Sequence, residues 1–213
     1  MGYLLGIDES GKSNILGNLF VVGVIVKDTV DLTKWQDVKD SKKYTSEVTL
    51  MNVSKKYKDI VYSVWEQIEP VIIDSYVRGY FTTLNTLLLQ TMVSICVDSL
   101  NKYDITKIIV DSPMSDCGRW TRDMRKLIIK RLDNPFVSFE LVCQNKADSN
   151  HKIVALASVF AKYHWRNHMS ELCKHLFTQT GLSIKNGIVN EPVVLQYIRK
   201  YPHSKYIRTS WKI

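Results

Sequence analysis

The chain has 213 residues, of which 45% are hydrophobic and 23% are charged, and its formal net charge at pH 7 is +8. This length and composition predict one globular domain and exclude both a disordered chain and two large domains. The excess of 29 Lys and Arg over 21 Asp and Glu favours a polyanionic partner such as nucleic acid, although a basic cytosolic enzyme would show the same balance.

Neither a membrane segment nor an export signal is expected. The longest apolar run, 19–26, is too short to cross a bilayer, and the acidic positions 8 and 9 interrupt the N-terminus. We therefore expect a cytoplasmic monomer that does not contact a membrane. Its four cysteines are widely spaced without a CxxC pair, which predicts reduced thiols rather than a zinc site.

The first half of the chain predicts three strands and two helices. Apolar, β-branched segments at 3–7 and 19–26 predict an early pair of strands, and a third strand is expected at about 60–68. A short helix is expected over about 45–57. Apolar residues recur at helical spacing over about 83–102, which predicts a long and largely buried helix.

The second half alternates strands with helices. Strands are expected at 107–111 and about 136–142, and helices at about 120–132, 152–177 and 192–200. This order predicts an α/β fold with a mixed central β-sheet flanked by helices. We expect a single domain over 1–213, in which about 178–213 form a C-terminal helical extension.

Residues 6–13, Gly-Ile-Asp-Glu-Ser-Gly-Lys-Ser, satisfy the phosphate-loop pattern GxxxxGK[ST]. A nucleotide triphosphatase that depends on Lys12 is therefore an alternative. Such a loop holds phosphates only when a helix follows it, and residues 14–26 predict a turn and a strand instead. The loop would also place Asp8 and Glu9 beside a triphosphate, so we favour an accidental match.

Asp8 and Glu9 are better explained as ligands of Mg²⁺ or Mn²⁺, which prefer carboxylate oxygens. Asp111 ends a predicted buried strand and Asp148 precedes a predicted helix, so both are candidate partners of Asp8 and Glu9 in binding the metal. Each also has a structural alternative, which is a turn at Asp111 and a helix cap at Asp148. Neighbouring residues of a regular strand face opposite sides, so Asp8 and Glu9 share a site only if the backbone bends, which Gly11 favours.

Histidines offer a rival metal site. His164 and His168 are spaced i,i+4 on a predicted helix, and His175 follows. No acidic or cysteine partner has a matching spacing, so we favour surface or core histidines. His151 near Asp148 is a candidate for proton transfer or product release.

Several segments together resemble the type 2 ribonucleases H, the HII and HIII enzymes. Residues 6–12 resemble the opening motif of that family. The other matching segments, in the family's order, are Asp40-Ser-Lys-Lys43, Leu84-Asn85, Lys146-Ala-Asp148 with Ser158 and Lys162 downstream, and Arg208-Thr-Ser-Trp-Lys212, which resembles the Arg-x-Ser-Trp ending of archaeal and eukaryotic members.

The resemblance implies a ribonuclease H-like fold and endonucleolytic cleavage of the RNA strand of RNA/DNA hybrids, with two Mg²⁺ or Mn²⁺ ions and with 5′-phosphate and 3′-hydroxyl products. It places the catalytic and metal-binding carboxylates at Asp8, Glu9, Asp111 and Asp148. The substrate-binding positions it implies are Gly11, Lys12, Ser13, Asp40, Ser41, Lys42, Lys43, Lys146, Ser158, Lys162, Gly187, Ile188 and Arg208.

Two positions depart from the family pattern. Ser13 stands where a glycine is usual, and a serine tolerates positive φ less well. Ile188 stands at a tyrosine position that HII enzymes are expected to use at a ribonucleotide to deoxyribonucleotide junction. We therefore expect weak cleavage at single ribonucleotides and a more HIII-like preference. The non-enzymatic alternative is a hybrid-binding protein that has lost catalysis.

Overall fold

Five strands form a mixed sheet in the computed structural model, which describes residues 2–79 and 83–211. The strands are β1 (Tyr3–Ser10), β2 (Leu19–Lys27), β3 (Tyr62–Ile68), β4 (Ile105–Asp111) and β5 (Glu140–Gln144). Their order across the sheet is β3-β2-β1-β4-β5. The first three strands in the chain pair antiparallel, whereas β4 and β5 run parallel to β1. The prediction of a mixed sheet is thus confirmed.

Helices cover both faces of this sheet. They are α1 (Glu47–Tyr57), α2 (Pro70–Arg78), α3 (Leu84–Lys102), α4 (Cys117–Arg131), α5 (Ala147–Asn150), α6 (Lys152–Thr180) and α7 (Pro192–Lys200), with 3₁₀ turns at Leu32–Lys34 and Ser41–Lys43. Within residues 2–79 and 83–211, no helix has the length and apolar character that a membrane crossing requires.

The strand β2, which lies between β3 and β1, shows why the sheet is covered on both sides. Val21 and Ile25 belong to one buried cluster with side chains of α3 and α4, and Val22 and Val24 belong to another with side chains of α1 and α6. A strand that is buried on both faces reads as a continuous apolar run rather than an alternating one. The apolar composition of residues 19–26 follows from this arrangement.

A third buried cluster joins the C-terminal region to α6 and to the loop between β1 and β2. Leu16 from that loop, Trp165 from α6, and Tyr197 and Ile207 from the C-terminal region all belong to it. Leu16 and Ile207 also form an isolated β-bridge. The C-terminal region therefore packs against the chain that follows the carboxylates of β1.

Three element predictions need correction. The last strand begins at Glu140 rather than about 136, because its pairing with β4 begins at Lys107 and Glu140 and leaves Phe136 91% exposed in a loop. The helix α2 was not predicted, although a proline at its first turn is a common start signal. The helix α4 begins three residues before the predicted position 120.

Candidate functional site

The candidate site lies where β1 and β4 end side by side. The last paired residues of these two parallel strands are Ile7 and Val110. Asp8 and Asp111 follow them directly, so the register of the sheet brings these two carboxylates to the same edge. This proximity depends on contacts between strands about a hundred residues apart in the chain.

Asp8, Glu9 and Asp111 form a compact group of carboxylates. Each residue offers one ligand oxygen, and these oxygens lie within 4.8 Å of one another. Asp8 and Glu9 share this group while β1 stays paired with β2 as far as Ser10 and Phe20. Pairing with β4 ends at Ile7, which leaves the edge of β1 beside the two carboxylates without a neighbouring strand.

Burial and mutual repulsion raise the pKa values of this group. The pKa of Asp8 lies well above its usual range, mainly because the side chain is buried and then because Glu9 and Asp111 lie nearby. Burial also raises the pKa of Asp111 to about 6, while a hydrogen bond from the Ala147 N–H opposes the rise. Ionising these carboxyl groups together costs free energy unless a cation is bound.

The donor set fits a divalent cation that prefers oxygen ligands. Glu9 Oε2 is buried and has no hydrogen-bond partner among the described residues, so it is an unsatisfied acceptor beside two further carboxylates. Mg²⁺ and Mn²⁺ are bound by such carboxylate oxygens, and a bound cation would both neutralise the group and satisfy this atom. We find no histidine or cysteine in the group.

The fourth predicted carboxylate, Asp148, is not a member of the group within 4.8 Å. It lies on α5, and its pKa is raised to about 6 by burial and by the charges of Asp40 and Asp111. Lys42 is close enough to Asp40, Asp148, Asp8 and Asp111 that these charges raise its pKa despite partial burial. The ammonium group of Lys42 therefore lies near two pairs of carboxylates, Asp8 with Asp111 and Asp40 with Asp148.

A cleft of about 560 Å³ opens beside Asp8 and Glu9. Its other lining residues are Ser10, Gly11, Lys12, Ser13, Asn14, Ser41, Lys42, Leu84, Ser158, Lys162 and Trp211. A smaller cavity of about 250 Å³ lies beside Asp148 and is also lined by Asp40 and Lys43. The cleft thus combines a carboxylate group with cationic and hydroxyl side chains, which suits a phosphodiester substrate.

Predicted substrate-binding residues surround the two cavities. The hydroxyl oxygens of Ser41 and Ser158 lie 3.0 Å apart, and Ser158 also hydrogen-bonds to Asp8. Lys162 lies over the ring of Trp165 at 4.0 Å, and burial lowers its pKa to about 8. Lys43 Nζ lies 3.4 Å from the Ser149 hydroxyl. The binding roles of these residues remain predictions.

Lys146 is an exposed residue that also turns the main chain. It has a φ of 56°, and in the described part of the chain no other residue except glycine has a positive φ. The turn leads into α5, where the Ala147 N–H donates a 2.7 Å hydrogen bond to Asp111 Oδ1. Lys146 therefore has a conformational role at the site besides its predicted contact with substrate.

Arg208 requires a correction, because it does not face the cleft. Its side chain is fully buried, and it donates hydrogen bonds to the carbonyl oxygens of Gly11, Lys12 and Gly17 at 2.8, 3.1 and 3.0 Å. Burial lowers its pKa to about 9. Arg208 holds the loop that carries Lys12 rather than touching a substrate itself.

Of the two departures from the family pattern, Ser13 lies in that loop and Ile188 lies beside it. Ser13 is exposed and does not have a positive φ, so the backbone strain that we expected for a serine at this position is absent. The Gly187 carbonyl accepts hydrogen bonds from the N–H groups of Ile15 and Leu16 at 3.0 and 3.1 Å. Ile188 is half-buried next to this contact. Position 188 therefore lies next to the segment that follows Lys12.

The structure contradicts the two rival sites. No helix follows residues 6–13; a turn leads into β2, so the chain lacks the helix that a phosphate loop requires. His168 Nε2 accepts a 3.1 Å hydrogen bond from the Asn18 N–H, and His164 stacks on Trp65 at 4.7 Å. These histidines have packing and hydrogen-bonding roles.

Ser10 and Asn14 line the cleft but were not predicted as site residues. Ser10 lies within the motif at 6–13 and Asn14 directly follows it, and this position is the signal that would have identified them. The contact between Asp40 and Asp148 was not predicted either, because the two residues lie far apart in the chain.

Solved structures resemble this fold over nearly the whole chain. The ribonuclease HII in the PCNA:RNase HII complex from Archaeoglobus fulgidus has a TM-score of 0.78 and 25% identity, and the match covers 99% of this chain and 95% of that chain. The ribonuclease H2 from Pyrococcus horikoshii has a TM-score of 0.77 at 23% identity and 94% coverage of that chain. Bst-RNase HIII in complex with Mn²⁺ has a TM-score of 0.69 at 20% identity; the match covers 98% of this chain and 64% of that chain. The protein thus has a ribonuclease H-like fold.

Curated relatives give the same result from sequence. Ribonuclease HII of Methanococcus maripaludis is 26% identical over 223 residues, which cover 98% of this chain and 84% of the relative. Ribonuclease HII of Methanobrevibacter smithii is 25% identical over 98% of this chain and 94% of its own length. The family model for ribonuclease HII matches residues 5–213, so the chain belongs to the ribonuclease HII family of hydrolases.

Proposed function

We propose that this protein is a divalent-metal-dependent endonuclease that hydrolyses the RNA strand of RNA/DNA hybrids. The observation that carries this proposal is the group formed by Asp8, Glu9 and Asp111, whose ligand oxygens lie within 4.8 Å of one another beside a cleft that also contains cationic side chains. The same group on a protein without a binding cleft for a polyanion would suggest only a cation site.

Asp8, Glu9 and Asp111 would hold the cation, and Asp148 would contribute from the neighbouring cavity. Two bound Mg²⁺ or Mn²⁺ ions would activate the attacking water and stabilise the leaving oxygen. In the reaction the water oxygen bonds to phosphorus and the bond from phosphorus to the 3′ oxygen breaks. The products are a 5′-phosphate and a 3′-hydroxyl.

Cationic and hydroxyl groups around the carboxylates bind and orient the substrate. Lys12 and Lys162 line the cleft from two different elements, the loop after β1 and the helix α6, so both can contact backbone phosphates. The hydroxyl groups of Ser41 and Ser158 can also donate hydrogen bonds to the substrate. Ser158 hydrogen-bonds to Asp8, and the Ser41 hydroxyl oxygen lies 3.0 Å from that of Ser158. Such contacts fix the position of the backbone without reading the base sequence.

We also propose that this protein cuts continuous RNA stretches better than single ribonucleotides, because Ile188 replaces an aromatic side chain with an aliphatic one next to the loop of Lys12. An isoleucine side chain neither stacks on a sugar or base as an aromatic ring does nor donates a hydrogen bond.

The decisive experiment incubates the purified protein with an end-labelled RNA/DNA hybrid and with either Mg²⁺ or Mn²⁺. We expect cleavage of the RNA strand that EDTA abolishes, and products that a 5′-phosphate-dependent exonuclease degrades. The absence of cleavage with both ions, together with retained hybrid binding, would favour a binding protein instead. Hydrolysis of a nucleoside triphosphate that depends on Lys12 would contradict the assignment of this cleft.

A further inference from the structure

The outward face of α4 carries a row of cations that the candidate site does not use. This helix has six Lys and Arg and one Asp in 15 residues, so its net charge of +5 is more than half of the chain's +8. Arg119, Arg122, Lys126 and Lys130 are all exposed. We refer to these four residues as the α4 row.

Helical geometry places the α4 row on one stripe. Its members are spaced i, i+3, i+7 and i+11, which at 3.6 residues per turn puts them within an arc of about 80° and over about 17 Å of helix. The buried side chains of Trp120, Met124 and Ile128 occupy the opposite face of the helix and belong to the same buried cluster as side chains of the sheet. The row is therefore held rigidly and faces solvent.

Little negative charge compensates this row. Asp123 lies 3.7 Å from Arg119, and within the described residues no carboxylate pairs with Arg122, Lys126 or Lys130. Like charges spaced i,i+4 destabilise a helix by about 0.2–0.5 kcal/mol per pair, and the row contains the pairs Arg122 with Lys126 and Lys126 with Lys130. An exposed helix that only had to be soluble would gain stability from interspersed acidic residues.

The position of the row relative to the carboxylates indicates what it binds. Five residues, 112–116, separate Asp111 at the end of β4 from the start of α4. Asn145 fixes this connection by donating hydrogen bonds to the carbonyls of Ser112 and Met114 at 2.8 and 2.7 Å. The first turn of α4 therefore begins near the carboxylate edge, and the row runs away from it.

We propose that the α4 row is a second contact surface for the phosphate backbone of a nucleic-acid duplex, outside the cleft that holds the cleaved bond. Each strand of duplex DNA carries about one negative charge per 3.4 Å of axis, so a 17 Å row spans about five phosphates of one strand, enough for four contacts. The inference rests on the proposed function for the identity of the duplex. It adds a surface that anchors the substrate beyond the reacting phosphate.

The test compares two variants that lose the same charge. The first is R119Q/R122Q/K126Q/K130Q, and the control is K27Q/K55Q/K58Q/K102Q. The control changes four exposed lysines at or next to the C-terminal ends of β2, α1 and α3. Lys27 pairs with Tyr3 at the start of β1, at the opposite end of that strand from the carboxylates. Binding to a labelled hybrid of about 30 base pairs is measured by fluorescence anisotropy in EDTA, over a series of salt concentrations.

We expect the α4 variant to bind the hybrid at least about tenfold more weakly at low salt. The magnitude of its slope of log K against log salt should fall by about 2 to 4 relative to wild type, because each lost phosphate contact lowers that magnitude by about 0.9. The control should change affinity by less than about threefold and keep its slope. Both variants should keep a Tm close to that of the wild type, because all eight substitutions are at exposed positions, where single changes usually alter stability by no more than about 0.5 kcal/mol. Should the fourfold variant unfold, R122Q/K126Q gives the same comparison with half the charge change.

Three results would overturn the inference. Equal losses in the two fourfold variants would show a general charge effect, and an unchanged affinity of the α4 variant would show that the row does not touch the duplex. Selective loss of binding to a poly-glutamate probe with full hybrid binding would indicate an acidic protein partner instead. Failure of the wild-type protein to cut any hybrid would contradict the proposed function separately, because the binding comparison contains no catalytic step.

Discussion

The main-chain N–H of Ala147 donates a 2.7 Å hydrogen bond to Oδ1 of Asp111, and thereby joins the end of β4 to the helix that carries Asp148. The bond holds one oxygen of Asp111 in place at the edge of the carboxylate group. It also explains why Lys146 adopts a left-handed conformation, since that turn starts the short helix at Ala147.

The first prediction concerns the charge of Asp111. We expect Asp111→Asn to lower the cleavage rate by at least about 100-fold, because it removes a negative charge that helps to hold the cations in the transition state. Hybrid binding in EDTA should persist, since the cationic residues remain. Single-turnover kinetics together with anisotropy would separate the two effects, and an unchanged rate would exclude Asp111 as a ligand.

The second prediction is a pH-dependent effect of metal on stability. Burial raises the pKa of Asp111 and of Asp148 to about 6, and that of Asp8 well above its usual range. For an acid with a raised pKa in the folded state, the stabilising contribution is present below the unfolded pKa near 3.8 and is lost as the pH rises through about 6.

In EDTA, therefore, these groups should lower the free energy of unfolding between about pH 4 and pH 7. Mg²⁺ should raise Tm more at pH 7.5 than at pH 5, because the cation replaces protons at the ionised carboxylates. Thermal unfolding at both pH values, with EDTA and with MgCl₂, gives the comparison. A larger Mg²⁺ effect at pH 5 would contradict the raised pKa values.

Some of this site follows from local sequence and some does not. The placement of Asp111 at the end of an apolar strand was predictable, because a buried strand and a following turn are local signals. The proximity of Asp8 to Asp111 depends on the parallel register of Ile7 with Val110, which no local pattern specifies. The metal-ligand argument named Asp111 as a candidate partner of Asp8, and the family resemblance implied the same pairing.

Arg208 shows the opposite failure. The family resemblance implied that Arg208 contacts the substrate, and a fully buried arginine is uncommon. Its burial depends on three carbonyl oxygens of the loop at 11–17, about 190 residues earlier in the chain. Hydrogen bonds to main-chain carbonyls at such a distance leave no trace in composition or periodicity, and Nη2 of Arg208 has no hydrogen-bond partner among the described residues.

The third prediction concerns this buried arginine. A lysine at position 208 keeps the charge, but one ammonium group cannot donate from the positions of Nε and Nη1 to three carbonyls. We expect Arg208→Lys to destabilise the protein by about 2–3 kcal/mol and to raise KM for the hybrid, because the loop that carries Lys12 loses its fixed conformation. Urea unfolding and steady-state kinetics measure the two quantities. An unchanged KM in a folded variant would show that Arg208 does not position the loop.

The fourth prediction concerns Lys42, whose charge is balanced by carboxylates at both cavities. We expect Lys42→Met to bind Mg²⁺ more tightly, because a competing cation is removed, and to bind the hybrid more weakly. Lys39→Met is the matched control, since Lys39 is exposed and lies over the ring of Tyr44 at 4.9 Å. Calorimetric titration with Mg²⁺ tests the first effect; weaker Mg²⁺ binding in Lys42→Met than in the control would contradict it.

The last prediction concerns Ile188, which lies beside the main-chain contact between Gly187 and the residues that follow Lys12. An aliphatic side chain here cannot stack or donate a hydrogen bond at a ribonucleotide to deoxyribonucleotide junction. We expect a duplex with one embedded ribonucleotide to be cut at least about tenfold more slowly than a hybrid with a run of ribonucleotides, at the same salt and metal concentrations. Ile188→Tyr should narrow this ratio, and Ile188→Leu should leave it unchanged because leucine conserves the aliphatic character. Equal or faster cleavage at the single ribonucleotide by the wild-type protein would show that another group recognises the junction, and that the aliphatic residue at 188 does not limit this activity.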